Sequence, residues 1–392
     1  RQDFASQSVN FANYPDIGSW PGNGNVWAGE DAQLAPYIDM DGDGQYDPLH
    51  DGDYPCFPGD LALWWVYHDD GVHTETGGSP LGVQVENLAY AFDCNLSPCP
   101  DTALDYATFY HVEVTNHGQA DLHDVMIGNW MDTDLGNAFD DYVGSDSALG
   151  LAFAYNGDAN DETAAGYGVN PPAFGSVILP NGEIDAMAGM AYYENNLSLI
   201  GNPENATQYY GYLRSIWKDG SAMVNNGLNG HLPSGAGPVT NFAFSGDPGF
   251  CGGAMTGWSE ASANRMPYDR RLLQTVGPLS MAVGQEVSLD YALVYSRSLS
   301  NDNLGNVCLL KTDAAAIKNW WMNTLDRGCL SLVTAKPEPQ AQSPFSVQVF
   351  PNPNHGEFTI SLASPQKRTV ALVLHNLQGQ VAWQGQLSAG QT

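Results

Sequence analysis

From Gln2 to Leu213 the chain contains no lysine and no arginine, although the same stretch holds 33 of the 44 aspartates and glutamates. The remainder, Arg214 to Thr392, carries 12 of the 13 basic residues against 11 acids, so the net charge of −31 belongs to the N-terminal half. Such a surface repels nucleic acid and anionic lipid, which excludes both as partners. No apolar run approaches the length that spans a bilayer, so no transmembrane segment is expected. The chain also lacks G-x-S-x-G, H-E-x-x-H, a phosphate-binding glycine loop, C-x-x-C and any zinc-ligand spacing. A fixed-period repeat is absent too.

What is present is a large, turn-rich chain. With 392 residues it exceeds the size at which one core stops growing, so two or more domains are expected. The 43 glycines and 24 prolines, with few helical patterns, favour a mainly β fold. Residues 1–60 read as ordered loops anchored by Tyr14, Trp20 and Trp27. Alternating segments predict strands over Leu61–His68, Leu81–Phe92, Ala107–Thr115, Val125–Trp130, Ala186–Tyr193, Tyr212–Trp217 and Glu286–Ser296, with Phe109–Asn116 and Leu122–Trp130 forming a hairpin. Thr312 suits the N-cap of one helix, Asp313–Leu325. The expected architecture is a large β-sandwich region with calcium-loop insertions and one helix over 1–335, with two lobes meeting near 150–160. A Pro-rich linker (336–344) and a small Ig-like β-sandwich (345–392) follow.

Six cysteines in such a chain read as three disulfides. The tight segment Cys94–Cys99 closes on itself, Cys308 and Cys329 bracket the predicted helix, and Cys56 is left for Cys251.

The strongest site signal is Asp39-Met-Asp41-Gly-Asp43-Gly44-Gln45-Tyr-Asp47. Alternate aspartates project oxygens to one side of a tight loop, Gly44 permits the sharp turn, Gln45 offers its carbonyl and Asp47 falls at the ninth position. The twelfth position is His50, so Asp51 or Asp53 would close the shell. All donors are hard oxygens, which selects Ca²⁺. The competing reading is a metal-free Asp/Gly turn. A second cluster, Asp132-Thr-Asp134…Asp140-Asp141, follows a strand; Asp132, Asp134 and one of Asp140 or Asp141 would share an ion, against a reading of capping and turn chemistry. A weaker third lies at Asn156–Glu162.

Other residues carry less. His68, His73 and their neighbouring acids read as structural polar contacts, as do His111, His117 and His123. Glu86, Glu113, Glu183 and Glu260 are the acids outside the loops from which a glycosidase pair could be drawn, and no nucleophile–base set assembles. Trp64-Trp65 and Trp320-Trp321 are expected in the core rather than stacked on sugar.

The C-terminal segment adds an address. Phe350-Pro-Asn-Pro-Asn-His-Gly-Glu-Phe-Thr-Ile360, the alternating Thr369–His375 and the turn Asn376-Leu-Gln-Gly-Gln380 resemble the type A C-terminal sorting domain of type IX secretion cargo. The runs Tyr37–Pro48 and Trp130–Gly144 are also similar to segments of large calcium-loop-containing cargo of that system. The resemblance implies a cleaved leader before Arg1 and export across the periplasm and outer membrane. It implies the outer-membrane translocon, shuttle and sortase proteins as partners, and a sorting domain whose pattern continues beyond Thr392. The expected function is a secreted or cell-surface, calcium-stabilised structural or adhesive protein that meets cell-surface glycan or other copies of itself. The alternatives are a polysaccharide-directed hydrolase and a subunit of an extracellular filament.

Overall fold

The computed structural model describes residues 14–26, 30–96, 99–231 and 237–330, and the strand residues 346–350, 359–363, 369–375 and 381–388. Two compact units form, Arg1–Thr334 and Ala335–Thr392. The first unit begins with helix α1 (Pro15–Gly18), the short pair β1 (Tyr37–Ile38) and β2 (Tyr54–Pro55), and strands β3 (Leu61–His68) and β4 (Val83–Ala91). Strands β5 (Ala107–Asn116), β6 (Leu122–Asp132), β7 (Asp141–Asp146) and β8 (Leu151–Asn156) follow. The short pair β9 (Asn160–Asp161) and β10 (Gly168–Val169) precedes β11 (Ala173–Leu179), β12 (Gly189–Glu194) and helix α2 (Ala206–Leu213). Strands β13 (Arg270–Met281) and β14 (Glu286–Ser296) and helix α3 (Asn303–Asn323) come next.

The fold is mainly β. A seven-stranded antiparallel sheet runs in the order β3-β4-β5-β14-β11-β8-β7, and a three-stranded antiparallel sheet in the order β12-β13-β6. Alternation along the strands gives the large sheet two apolar faces. Val112, Val114, Ile178, Val287 and Leu289 pack with Met131, Met190, Tyr192, Leu272 and Val276 of the smaller sheet, which forms the sandwich core. On the opposite face Phe109, Phe153, Tyr155, Val177, Ala292 and Val294 meet α3. The residues between 150 and 160, where a lobe boundary was expected, include β8 of the large sheet.

Helix α3 presents Val307, Leu310, Ala314, Ile317 and Trp321 as one buried stripe at helical spacing. It starts earlier than the sequence suggests. Asp302 is the N-cap and accepts the Gly305 N–H at 2.7 Å. Thr312 lies inside the helix, where its hydroxyl donates to the Cys308 carbonyl. Trp320 and Trp321 belong to the core beneath the sheet, as expected, whereas Trp64 is only partly buried against it and Trp65 is exposed on the edge strand β3, contrary to the expectation for that pair.

Three further expectations are corrected. Strands β5 and β6 do not form a hairpin: β5 pairs with β4 and β14, while β6 pairs with β13, so residues 117–121 carry the chain from one sheet to the other. Tyr212–Trp217 is not a strand. Asn205 caps α2 there, accepting the Gln208 N–H, and the aromatic rings are used as a helix face instead. The disulfides are Cys56–Cys329, Cys94–Cys99 and Cys251–Cys308. Cys329 is taken by Cys56, so Cys308 and Cys329, which bracket the end of α3, are not joined to each other. Cys308 instead faces Cys251 across the helix flank. Three disulfides belong to an oxidising environment, outside the cytoplasm.

The second unit contains β15 (Ser346–Phe350) paired with β16 (Thr359–Ala363), and β17 (Thr369–His375) paired with β18 (Val381–Ser388), both antiparallel. The expected linker 336–344, the Pro351–Phe358 part of the sorting motif, the Asn376–Gln380 turn and the Trp27 anchor lie outside the described residues.

Candidate metal sites and buried acid clusters

The Asp39–Asp53 loop is built by its own carboxylates. Asp39 accepts the N–H groups of Gly42 and Gly44 at 2.7 and 2.8 Å, Asp41 that of Asp43, and Asp43 that of Gln45. These bonds, that of Gly44 foremost, hold the Asp39 carboxyl below the usual range. Gly42 and Gly44 both take positive φ, the conformation the tight turns need. Asp53 is buried and braces the loop from inside, accepting the N–H of Met40 with one oxygen and that of Asp47 with the other. Tyr46 pins the loop to the core: its ring packs edge-on against Tyr37 and its hydroxyl donates to the Ile17 carbonyl.

Carboxylate oxygens of Asp39, Asp41 and Asp43 come within 4.8 Å of one another. Asp51 stands beside them, its carboxyl raised by partial loss of solvent and by Asp41, Asp47, Asp43 and Asp53 around it. Asp47 takes the His50 and Leu49 N–H groups and the His50 ring, the backbone of His50 contributing most to its lowered pKa. Asp39, Asp41 and Asp43 lie close enough for their hard oxygens to hold one divalent cation, while Asp51 is not part of that convergent group.

The second sequence cluster is divided in space. Asp132 ends β6 directly opposite Arg271 of β13, whose guanidinium reaches it at 2.8 Å and also pairs with Asp269. Asp132, Asp134 and Asp269 converge, but Arg271 already supplies a cation there. Thus the acidic half of the sequence is partly neutralised by arginines that arrive from β13, a pairing invisible in local sequence. Asp140 and Asp141 lie elsewhere. They enter β7 from a short 3₁₀ turn, Ala138–Asp140, next to Asp161 of β9. Asp161 comes from the weaker Asn156–Glu162 motif and fixes the preceding loop, accepting the N–H groups of Asn137 and Tyr167.

Other acids form clusters no linear motif displays. His111 on β5 is 5 % exposed and sits between Asp290 of β14, at 2.8 Å from Nδ1, and Glu113, at 3.3 Å from Nε2. Burial alone would lower its pKa, but the two carboxylates outweigh it and raise it to about 10. Glu86 faces Glu113 across the β4–β5 ladder, and Gln84 donates to Glu86 at 2.9 Å. Near the other sheet, Glu260 and Arg270 are fully buried and joined at 2.9 Å, with Arg265 and Glu194 completing the network. Glu183 holds the Ser288 N–H and hydroxyl.

No protein-family model matches the chain, and no curated protein does so either.

The four acids outside the loops are each committed to internal contacts. Glu86 and Glu113 are buried within the sheet, Glu260 is held by arginines, and Glu183 braces a strand. A hollow of about 720 Å³ opens beside Arg265, His231 and Tyr268, and the Glu194 at its wall is paired with Arg265. The sequence missed Asp269, Arg271 and Asp290 because each is contributed by a distant strand. A strand register would have found them; residue spacing could not.

Proposed function

We propose that this is a secreted or cell-surface structural or adhesive protein, braced by calcium and exported by the type IX route. The observation that carries the reading is the convergence of Asp39, Asp41 and Asp43 on a loop braced by Asp53, with Asp51 alongside. Export rests on the resemblance of Phe350–Gln380 to a sorting domain; the paired strands β15–β16 and β17–β18 support it. The export partners would be the translocon, shuttle and sortase proteins, and cell-surface glycan is the ligand an adhesive role would meet. A scaffold role is favoured over hydrolysis because Glu86, Glu113, Glu183 and Glu260 are engaged in packing and hydrogen bonding rather than presented to an open cleft.

The filament reading has one observation in its favour. Strand β3 is an edge of the seven-stranded sheet and exposes Leu61, Leu63, Trp65 and Tyr67, an apolar row on which another chain can add a strand. Sedimentation of the wild-type chain and of L63K at rising concentration separates the readings: association lost in the variant supports the filament, and a monomer at all concentrations removes it.

Export is tested by protease treatment of intact producing cells. The reading expects digestion of the full chain, and retention in the periplasm once residues 335–392 are deleted. Equal surface exposure of the deletion would overturn the assigned route.

A further inference from the structure

The buried side-chain atoms that lack a hydrogen-bond partner are not scattered. One group of them is Asp140 Oδ1 and Oδ2, Asp141 Oδ1 and Asn156 Nδ2, all at the start of β7 and the end of its ladder partner β8. Asp141 is 1 % exposed, and Asn156, its register partner, is fully buried. Asp141 Oδ2 accepts the Leu135 N–H at 2.9 Å, and Oδ1 has no hydrogen-bond partner. Side chains of Asn137 and Asn156 lie beside Asp140 without reaching bonding geometry.

Native structures leave few such atoms, because each buried unpaired acceptor costs about 1–3 kcal/mol, and more when charged. Here the charge is concentrated. Asp134, Asp140 and Asp161 all act on Asp141, and Glu162 acts with Asp161 on Asp140. Among the described residues no lysine or arginine forms an ion pair with any of these five; Arg271, which arrives from β13, is paired with Asp132 and Asp269. A trapped water would supply donors and leave the charge uncompensated. A divalent cation would coordinate the unpaired carboxylate oxygens and compensate their charge.

We propose that Asp140 and Asp141 ligate a divalent cation of the calcium class, at a site separate from the Asp39–Asp51 loop. Carboxylate oxygens that are hard and irregularly disposed suit Ca²⁺ better than Mg²⁺, which demands a near-octahedral shell. The surrounding loop is shaped for it. Gly136 takes φ +80°, and a Cβ there would stand 1.9 Å from Asp161 Oδ2, so the chain approaches the acids as closely as glycine allows. The site would fix the turn that leads into β7 beside the end of β8, its ladder partner.

The test is calorimetric titration of the folded, disulfide-intact chain with calcium chloride after chelation, on wild type, D140N, D141N and D43N. Near-UV circular dichroism establishes that each variant is folded, and the partly exposed Asp140 keeps the test open if D141N misfolds. The inference expects wild type to bind two equivalents, one that D140N or D141N abolishes and D43N retains, and one that D43N alone abolishes. A single equivalent, lost only in D43N, overturns this site and leaves the loop site standing. A single equivalent, lost only in D140N and D141N, does the reverse. No binding by wild type overturns both, and would mean that Asp141 is carried as the neutral acid.

Discussion

Replacing His111 by glutamine removes the only positive charge between two buried carboxylates, and its consequence can be worked out from the structure. The imidazole's pKa of about 10 exceeds its ordinary value of 6.5 because Asp290 and Glu113 overcome the effect of burial. The folded state therefore holds a proton that the unfolded state releases. The stabilisation is fully present below about pH 6.5 and is lost as pH rises through 10. A gap of about 3.5 pH units at roughly 1.4 kcal/mol per unit sets a ceiling near 5 kcal/mol. Removing one partner of a buried pair costs about 3–5 kcal/mol, a range of the same size. The assay is urea unfolding of wild type and H111Q at intervals from pH 6 to about 10. H111Q should be less stable by several kcal/mol near pH 6, and the two should converge as pH rises. A difference that stays constant across this window would refute the argument that His111 is charged in the folded protein.

The remaining predictions concern cross-links, ion pairs and loops. Peptide mapping without reduction should join Cys56 to Cys329 and Cys251 to Cys308; a Cys308–Cys329 peptide would contradict both pairings. R270A should lower stability by about 3–5 kcal/mol in chemical denaturation, because it strands the fully buried Glu260; a loss below about 1 kcal/mol would mean that Arg265 alone satisfies that carboxylate. G136A should be destabilising as measured by thermal melting, since alanine meets both a positive φ and Asp161; an unchanged melting temperature would show that the loop yields freely.

The legible parts of the fold were those with local signatures. Glu286–Ser296 alternates cleanly and is β14 residue for residue, and Leu61–His68 is β3. The helix was found by its Ala-rich stretch but started too late, since its first turns, Asn303–Val307, carry glycine and asparagine, which read as loop. Pairing was the harder problem. Residues 117–121 look like a hairpin turn, yet the strands they join enter different sheets, because burial of Val112 and Val114 against the smaller sheet decides the partners. The same limit applies to the acids. The Asp39–Asp51 loop is contiguous and could be read directly. The grouping of Asp132 with Arg271, of Asp141 with Asp161, and of His111 with Asp290 exists only after the strands are aligned.

The central claim is that clustered carboxylates of the lysine-free half hold calcium, and thermal melting with saturating calcium against excess chelator tests it most directly. At free calcium about 100 times its dissociation constant, one occupied site adds about 2.7 kcal/mol, enough to raise the melting temperature by several degrees. The account predicts that rise, and its reduction in D43N. Identical melting curves with calcium and with chelator would contradict it.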